Sequence, residues 1–180
     1  MRAVMDCCTR SKDAQLNTAR TSHAAAPHLR RARLDDVPHI ARLYRRTAAH
    51  AWSFLYPHTP EQDLHHFHKA FDRGLIWIAE DDGRFIGFIA LRRGWIDHFY
   101  VSPEEQGRGV GRRLIARALR GRRRVRLWTF QRNHRSRLFY ALQGFTEVVR
   151  TDGRGNEERE PDILLEWRRP LHPTKARSST

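Results

Sequence analysis

The sequence predicts one α/β domain of the α+β type, with a mixed, mostly antiparallel central sheet of about six or seven strands flanked by about four helices. Two observations lead to this fold class. Apolar runs of strand-like length and composition are interleaved with amphipathic segments of helical period. Three consecutive strands joined by tight turns then give way to strands separated by helices, which combines antiparallel neighbours with a parallel crossover.

The first half of the chain is expected to form a strand, two helices and a three-stranded meander. Asp35 and Asp36 are suited to cap the first helix, Pro60 to open the second and Gly74 to end it. A hairpin turn is expected over residues 81–83, which read Asp-Asp-Gly. The predicted elements are a strand over 29–32, helices over 37–49 and 61–73, and strands over 75–80, 85–91 and 95–101.

The second half is expected to alternate strands and helices. Leu114, Ile115 and Ala118 recur at helical spacing after a glycine-rich stretch. Asn133 is a good N-cap and Gly144 a good C-terminal stop for a later helix of about ten residues. The predicted strands of this half lie over 125–130, 146–151 and 163–168.

We expect the folded domain to span residues 28–168, between two disordered tails. Residues 1–27 are rich in Ala, Thr, Arg and Ser without apolar periodicity, and residues 169–180 combine Pro, Ser, Thr and basic residues. Both cysteines, Cys7 and Cys8, lie in the first tail. The domain therefore has no disulfide, no cysteine-based zinc site and no thiol that could carry an acyl group.

Three glycines spaced one residue apart, Gly107, Gly109 and Gly111, stand between a strand and an amphipathic helix. Glycines allow the backbone conformations that an anion-binding loop needs, and the helix start adds N–H groups and a positive dipole end. Arginines at 108, 112 and 113 add full charges. This combination predicts a socket for a phosphorylated ligand, although a glycine-rich turn into a basic surface helix would show the same residues.

The spacing of the glycines selects among phosphate loops. Gly111 is followed by Arg-Arg-Leu, which rules out a nucleoside-triphosphate loop, and the third glycine comes one position too early for a dinucleotide fingerprint. The pattern Gln106-x-x-Gly109-x-Gly111 after a strand resembles the acetyl-coenzyme A signature of the GCN5-related N-acetyltransferases. This resemblance, over residues 28–168, implies the fold of that family and acetyl-CoA as co-substrate, without a metal. The residues that it implies for the acetyl-CoA site are Phe99, Tyr100, Val101, Gln106, Gly107, Arg108, Gly109, Val110, Gly111, Arg112 and Asn133.

A second motif, Asn133 followed by Phe-Tyr and Gly-Phe, resembles the later part of the same fold. The resemblance implies that Asn133 contacts the cofactor and that Tyr140 protonates the departing thiolate. Leu138 and Leu142 stack on one helix face, and Tyr140 lies outside this apolar stripe. Its phase therefore favours catalysis over packing.

The base that deprotonates the amine is expected on the strand before the glycine loop. Strict alternation would place Asp97 on the face of Phe99 and Val101, with His98 on the opposite face. Asp97 is the first candidate, and an ion pair with an arginine is its alternative role. His98, Glu80 and a chain of water molecules are the rival bases.

The acceptor amine is expected to meet two variable segments. The first is the segment 50–66, whose candidate pocket residues are Trp52, Phe54, Tyr56, His58 and His65. The histidines in and near this segment, including His66 and His68, could suggest a metal site. No cysteine or carboxylate set that would complete such a site accompanies them in the sequence. The second is the acidic loop 152–162, with Glu157, Glu158, Glu160 and Asp162, which is either a solvated surface or an attractor of cationic amines.

The net charge of +14 attracts anionic partners, of which coenzyme A is one and nucleic acid another. The sharpest basic cluster, Arg120 with residues 122–124, is expected to be a solvated connection between helix and strand, with binding of nucleic acid or of the 3′-phosphate of coenzyme A as its alternatives. No apolar run of membrane-spanning length and no signal peptide are present in the sequence, so we expect a cytoplasmic protein. Whether it is a monomer or a homodimer stays open.

Together these patterns predict an N-acetyltransferase that moves the acetyl group of acetyl-CoA directly to a primary amine. The amine is a small molecule, a peptide N-terminus or a lysine. Two alternatives stay open: a non-catalytic acyl-CoA-binding or nucleic-acid-binding module on the same scaffold, and an acetyltransferase that acts on aminoacyl-tRNA.

Overall fold

The computed structural model describes residues 26–52 and 58–170, with the backbone alone over 48–52. A seven-stranded sheet forms its centre. The strands are β1 (His28–Arg31), β2 (Leu75–Asp81), β3 (Arg84–Arg92), β4 (Trp95–Val101), β5 (Arg124–Phe130), β6 (Phe145–Arg150) and β7 (Asp162–Arg168). The helices are α1 (Val37–Trp52), α2 (Pro60–Arg73), α3 (Val110–Leu119) and α4 (His134–Leu142).

The sheet runs in the order β1-β2-β3-β4-β5-β7-β6. Every neighbouring pair is antiparallel except β4 and β5, which are parallel. This confirms the predicted mixed, mostly antiparallel sheet. The single parallel pair is a consequence of the α3 crossover, because parallel neighbours cannot be joined by a tight turn.

The sheet separates two hydrophobic cores. One core joins β4, β5 and β7 to α3 and α4, and it includes Ile96, Phe99 and Tyr140. The other joins β2, β3 and β4 to α1 and α2, with Phe67 and Tyr100 among its members. Burying each large side chain of these cores stabilises the fold by about 1.5–3 kcal/mol. Alternate residues of β4 therefore supply both cores.

The start of the chain is tied to the sheet by one arginine. The Arg30 guanidinium donates to Asp36 at 2.7 and 2.8 Å and to Glu80 at 2.6 and 3.0 Å. The Asp36 carboxylate also accepts from the backbone N–H of Arg33, and Arg30 holds the pKa of Asp36 below its usual range. Asp36 thus closes a short 3₁₀ turn over 34–36 before α1, which itself runs beyond the predicted end at 49.

The predicted tails fall largely outside the described residues, because residues 1–25, with Cys7 and Cys8, and residues 171–180 are not among them. The secondary structure runs from His28 to Arg168. The domain limits and the disorder of the tails stay predictions.

Candidate active site

The parallel strands β4 and β5 are paired only where they begin. Within the described residues their one register pair is Trp95 with Arg126, and the Arg126 N–H donates to the carbonyl of Gly94 at 2.9 Å. Farther along, β4 stays paired with β3 and β5 with β7, so the two strands separate toward their carboxyl ends. The gap opens beside the start of α3, a position where sheets of this kind bind ligands.

The glycine loop, residues 106–111, closes one end of this gap. Gly107 and Gly109 have φ of +80° and +83°, and Gly109 is the N-cap of α3. Gly111 lies inside the first turn, where an added Cβ would contact the Phe99 ring at 3.5 Å. Gln106 donates from its side chain to the Val101 carbonyl at 3.1 Å, which ties the loop to the end of β4. The first N–H groups of α3 have no carbonyl partner within the helix and suit an anion.

A groove of about 520 Å³ lies at this helix start. Arg108, Arg112 and Arg113 line it, together with Asp81 and Glu105. Arg108 is already paired with the buried Glu105 at 2.5 Å, whereas Arg112 and Arg113 are exposed. The groove therefore offers two exposed guanidinium groups and a helix N-terminus to a phosphorylated ligand.

The second motif folds as predicted at its start. The side chain of Asn133 caps α4 by accepting a hydrogen bond from the Ser136 N–H at 3.1 Å. Asn133 is buried, and it lies directly after the carboxyl end of β5. Asn133 therefore lies beyond the carboxyl end of β5, at the same open edge of the sheet as the glycine loop, which follows β4.

Tyr140 lies on the face of α4 away from the leucine pair, as its helical phase predicts, but the prediction that the leucine pair forms the buried stripe is wrong. Leu138 and Leu142 are 63% and 75% exposed, and Tyr140 is completely buried. Its ring centroid lies 6.4 Å from that of Phe99 and 5.5 Å from that of Phe145. The inner face of α4 is formed by Ser136 and Tyr140, so the leucine pair marks the solvent side. The structure brings Tyr140 next to β4, and its catalytic role stays a prediction.

The alternation assumed for β4 is also wrong at its start. The register between β3 and β4 shifts where Ala90 faces His98 and Leu91 faces Ile96, which leaves Asp97 as the extra residue of a bulge. Ile96 consequently shares a core with Phe99 and Val101, and Asp97 does not follow their alternation. Its carboxylate accepts from Arg92 at 2.9 Å, an ion pair that raises the pKa of Arg92.

His98 lies on the α1 and α2 side of β4, and it pairs with a histidine that the sequence analysis did not single out as a catalytic residue. The Nε2 atoms of His66 and His98 are 2.8 Å apart, and the rings are almost perpendicular. His98 is 5% exposed, and its Nδ1 is buried with no hydrogen-bond partner in the described residues. Burial, with smaller effects from His66 and Arg92, lowers the pKa of His98 to about 3.

The third base candidate, Glu80, is placed away from this region. It lies on β2, two strands from β4, and Arg30 holds both of its carboxylate oxygens. A group that is already paired there has no route to an amine in the gap beside β4. Of the proposed bases, Asp97 and His98 are the two that lie on β4.

The acidic loop is a built structure. Asn156 donates to the carbonyl of Glu160 at 2.7 Å and to the carboxylate of Asp162 at 3.0 Å, and the Thr151 hydroxyl donates to Asp162. Gly153, with φ of +83°, packs so tightly on Glu160 that a Cβ would collide with that backbone. Asp162 is completely buried in this network. Asp162 is therefore part of the internal structure of the loop and Glu160 pairs with Arg132, whereas a role of Glu157 and Glu158 toward the acceptor stays a prediction.

The charges of these two glutamates act on Tyr44 of α1. Burial raises the pKa of Tyr44, and the charges of Asp63, Glu158 and Glu157 raise it further. Burial also raises the pKa of Glu158, against the opposing charge of His58. Its Oε2 is buried without a hydrogen-bond partner in the described part of the chain. The charged end of the acidic loop thus lies close enough to Tyr44 of α1 and to His58, just before α2, for their charges to act on one another.

The other predicted acceptor residues of the segment 50–66 are not seen at a site. The side chains of Trp52, Phe54 and Tyr56 lie outside the described residues, and His65 is exposed. The described residues hold no group of three side chains that could bind a metal ion, and none of the described helices is long and apolar enough to cross a membrane. In the basic cluster, Arg122 closes the end of α3 by donating to the Ala118 carbonyl at 3.0 Å.

Comparison with known sequences identifies one family of enzymes. Residues 38–145 match the sequence profile of the acetyltransferase (GNAT) family. An uncharacterized N-acetyltransferase of Archaeoglobus fulgidus is 31% identical over 134 residues, which cover 64% of this chain and 90% of that protein.

Solved structures share the fold at low identity. The structure of yncA from Salmonella typhimurium with acetyl-CoA superposes with a TM-score of 0.66 and 18% identity, over 83% of this chain and 97% of that one. The PaiA N-acetyltransferase of Thermoplasma acidophilum, in complex with coenzyme A, gives a TM-score of 0.63 at 19% identity, over 81% of this chain and 100% of that one.

Proposed function

The chain belongs to the acetyltransferase (GNAT) family, and from this premise we propose that it transfers the acetyl group of acetyl-CoA directly to a primary amine. The observation that carries the proposal is the gap between β4 and β5, which ends at the glycine loop and the start of α3. The test is a thiol-release screen with acetyl-CoA against diverse amines, including peptides and aminoacyl-tRNA. Coenzyme A release that requires an amine supports the proposal, and no release with any amine contradicts it. The cytoplasmic location stays a prediction.

The binding role in this proposal is divided between the loop and the strand. The backbone of residues 107–111 donates to the diphosphate of acetyl-CoA, and Arg112 adds charge from the exposed side of the groove. The backbone of Phe99, Tyr100 and Val101 lines the acyl arm along the open edge of β4. An N–H group of this strand donates to the thioester carbonyl oxygen as negative charge builds there.

The chemical roles fall to side chains on either side of β4. Tyr140, on the α4 side, donates a proton to the departing sulfur. Asp97 assists removal of the proton from the acceptor amine, which must be neutral to attack. Its charge lies close enough to His66 to raise the pKa of that histidine, against the lowering by burial. Residues 28–168 contain no cysteine that could form an acyl-enzyme, which favours direct transfer.

We expect replacement of Asp97 by Asn to lower kcat about tenfold near pH 6 and less at alkaline pH, where the amine is already neutral. The measurement is kcat against pH for the best amine of the screen. Asp72→Asn is the matched control, because it removes an exposed carboxylate that lies near the C-terminal end of α2 and not on β4. A pH profile of Asp97→Asn that superposes on that of the wild type would remove Asp97 from the reaction.

The acceptor is placed by the same proposal between α1 and the acidic loop. Glu157 and Glu158 stand there on a loop that its own hydrogen bonds hold in place. A buried carboxylate oxygen without a partner costs about 1–3 kcal/mol. An incoming ammonium group would give the Oε2 of Glu158 that partner, so this site favours an acceptor that arrives as a cation.

Replacing Glu157 and Glu158 together by Gln should raise the KM for the acceptor about tenfold, because two attractive charges are lost. The KM of the variant should also depend less on salt than that of the wild type. Steady-state kinetics at low and high salt measure both effects, with the KM for acetyl-CoA unchanged. If every active amine keeps its wild-type KM, the two glutamates do not take part in binding the acceptor.

A further inference from the structure

The paired rings of His66 and His98 form a short path from the sheet to the surface. His98 is buried on β4, and His66 lies on α2 and is only partly buried. One proton lies between their Nε2 atoms, 2.8 Å apart, because two unprotonated nitrogens would repel at this distance. The Nδ1 atom of each ring is then left for other interactions. Nδ1 of His98 has no hydrogen-bond partner among the described residues.

The burial of that atom indicates which tautomer is present. If His66 donated the shared proton, the Nδ1 of neutral His98 would carry a buried N–H without a partner. Orphaned N–H groups are the rarer kind of unsatisfied polar atom in folded proteins. If His98 donates instead, its Nδ1 holds a bare lone pair. The second arrangement leaves a base in the interior and puts the other N–H on His66, the more exposed ring.

The surroundings of the pair favour a proton on His66 over one on His98. Burial lowers the pKa of both rings, that of His98 much further. The charged groups that act on the pair come from β3, β4, α2, the residues before α2 and the acidic loop. They are Arg92 and His58, which disfavour the proton, and Asp63, Asp97 and Glu157, which favour it on His66.

We propose that His98 and His66 form a proton relay that carries the acceptor's proton from the buried side of β4 to solvent. The proposal rests on the proposed amine acetylation. Nδ1 of His98 takes a proton from the amine nitrogen, and the Nε2–H of His98 passes to Nε2 of His66. His66 then releases its Nδ1 proton to water, so that one proton leaves the amine and one reaches solvent. The relay ends on the side where Glu157 stands.

The relay explains why a histidine so weakly basic still serves the reaction. A base that retained the proton would need a pKa near the working pH. His98 does not retain it, because the neighbouring ring takes over the proton in the same path. Asp97 then acts through its charge on His66, which agrees with the pH dependence expected for Asp97→Asn.

The decisive variant is His66→Gln, because the amide oxygen of glutamine can still accept a hydrogen bond from the Nε2–H of His98 but cannot take up that proton and pass it on. We expect kcat with a saturating amine to fall about 30- to 100-fold near neutral pH and to recover partly at alkaline pH. The dissociation constant of acetyl-CoA should stay within about twofold of the wild-type value. His39→Gln, on the exposed side of α1, is the control and should change neither quantity.

A rescue experiment separates transfer from packing. His66→Ala opens space at a partly exposed position, and added imidazole should restore kcat several-fold as its unprotonated form increases with pH. A merely structural role would not follow that titration. If the wild type is active, either of two results would overturn the relay alone: a wild-type kcat for His66→Gln, or a kcat of His66→Ala that imidazole does not raise. A wild type that acetylates no amine would overturn the proposed function instead.

The tautomer can be read without any reaction. Long-range ¹H–¹⁵N spectra of the imidazoles in the full-length protein should show a bare Nδ1 on His98 and protons on its Nε2 and on Nδ1 of His66. They should also show that His66 titrates while His98 stays neutral. A proton on Nδ1 of His98 would contradict the relay whatever the activity.

Discussion

Gly109→Val should abolish productive binding of acetyl-CoA, with a dissociation constant raised about 100-fold or more. Gly109 has φ of +83° and is the N-cap of α3. A β-branched residue avoids this left-handed conformation, so the loop would move away from it. No atom lies within 4 Å of the position that a Cβ would take, so the side chain would project into the space over the loop. The diphosphate would then lose its close approach to the backbone N–H groups.

The control for this variant lies at the other end of the same helix. Gly121 follows α3, has φ of +78° and also has open space around an added Cβ. Gly121→Val therefore carries the same backbone strain without touching the loop. Calorimetry with acetyl-CoA should show wild-type affinity for Gly121→Val, and thermal unfolding should show similar losses of Tm for both variants. Equal affinity of the two variants for acetyl-CoA would place the binding site elsewhere.

Local signals were sufficient to locate the elements of this fold. Cap and turn residues act over three or four positions, so Asn133 and Gly144 mark the ends of α4 without knowledge of the rest of the chain. Strand β4 was predicted with its observed limits, because apolar alternation, the turn at Gly94 and the following proline bound it on both sides. The glycine spacing likewise located the turn that leads from β4 into α3.

Which face of each element is buried depends on the neighbouring strands and helices, and the local sequence pattern does not identify these neighbours. The bulge at Asp97 arises from the register of β4 against β3, and a residue count along β4 alone cannot show it. On α4, the leucines at 138 and 142 suggested a buried stripe, but the sheet covers the face of Ser136 and Tyr140 instead. Short helices with mixed faces do not reveal which side the sheet will take.

The histidine pair shows the same limit for the site. His66 and His98 are 32 residues apart and come from different elements, so no spacing rule connects them. The one available signal was a histidine adjacent to Phe67, on the face of α2 that packs against the sheet. The buried network of the acidic loop was equally hidden, because Asp162 looks like any other surface carboxylate in the sequence.

Tyr140→Phe is expected to lower kcat about 100-fold while the affinity for acetyl-CoA stays within about twofold of the wild-type value. The phenyl ring keeps the contacts with Phe99, Phe139 and Phe145, whose ring centroids lie 5.4–6.4 Å from that of Tyr140. Only the hydroxyl is lost, and in the proposed reaction it donates a proton to the departing sulfur. That step comes after both substrates have bound, so the effect belongs in kcat.

The complete burial of Tyr140 requires a control for packing. Phe145→Leu changes the same aromatic cluster, because its ring lies 5.5 Å from that of Tyr140, but it leaves the hydroxyl in place. Loss of part of a buried ring should lower the free energy of unfolding by about 1–3 kcal/mol. If packing alone mattered, Phe145→Leu would lower kcat more than Tyr140→Phe, because it disturbs the core more. Single-turnover rates of the two variants, measured beside their unfolding free energies, decide this: a slow but stable Tyr140→Phe assigns the hydroxyl to the reaction, and wild-type turnover of that variant assigns Tyr140 to the core.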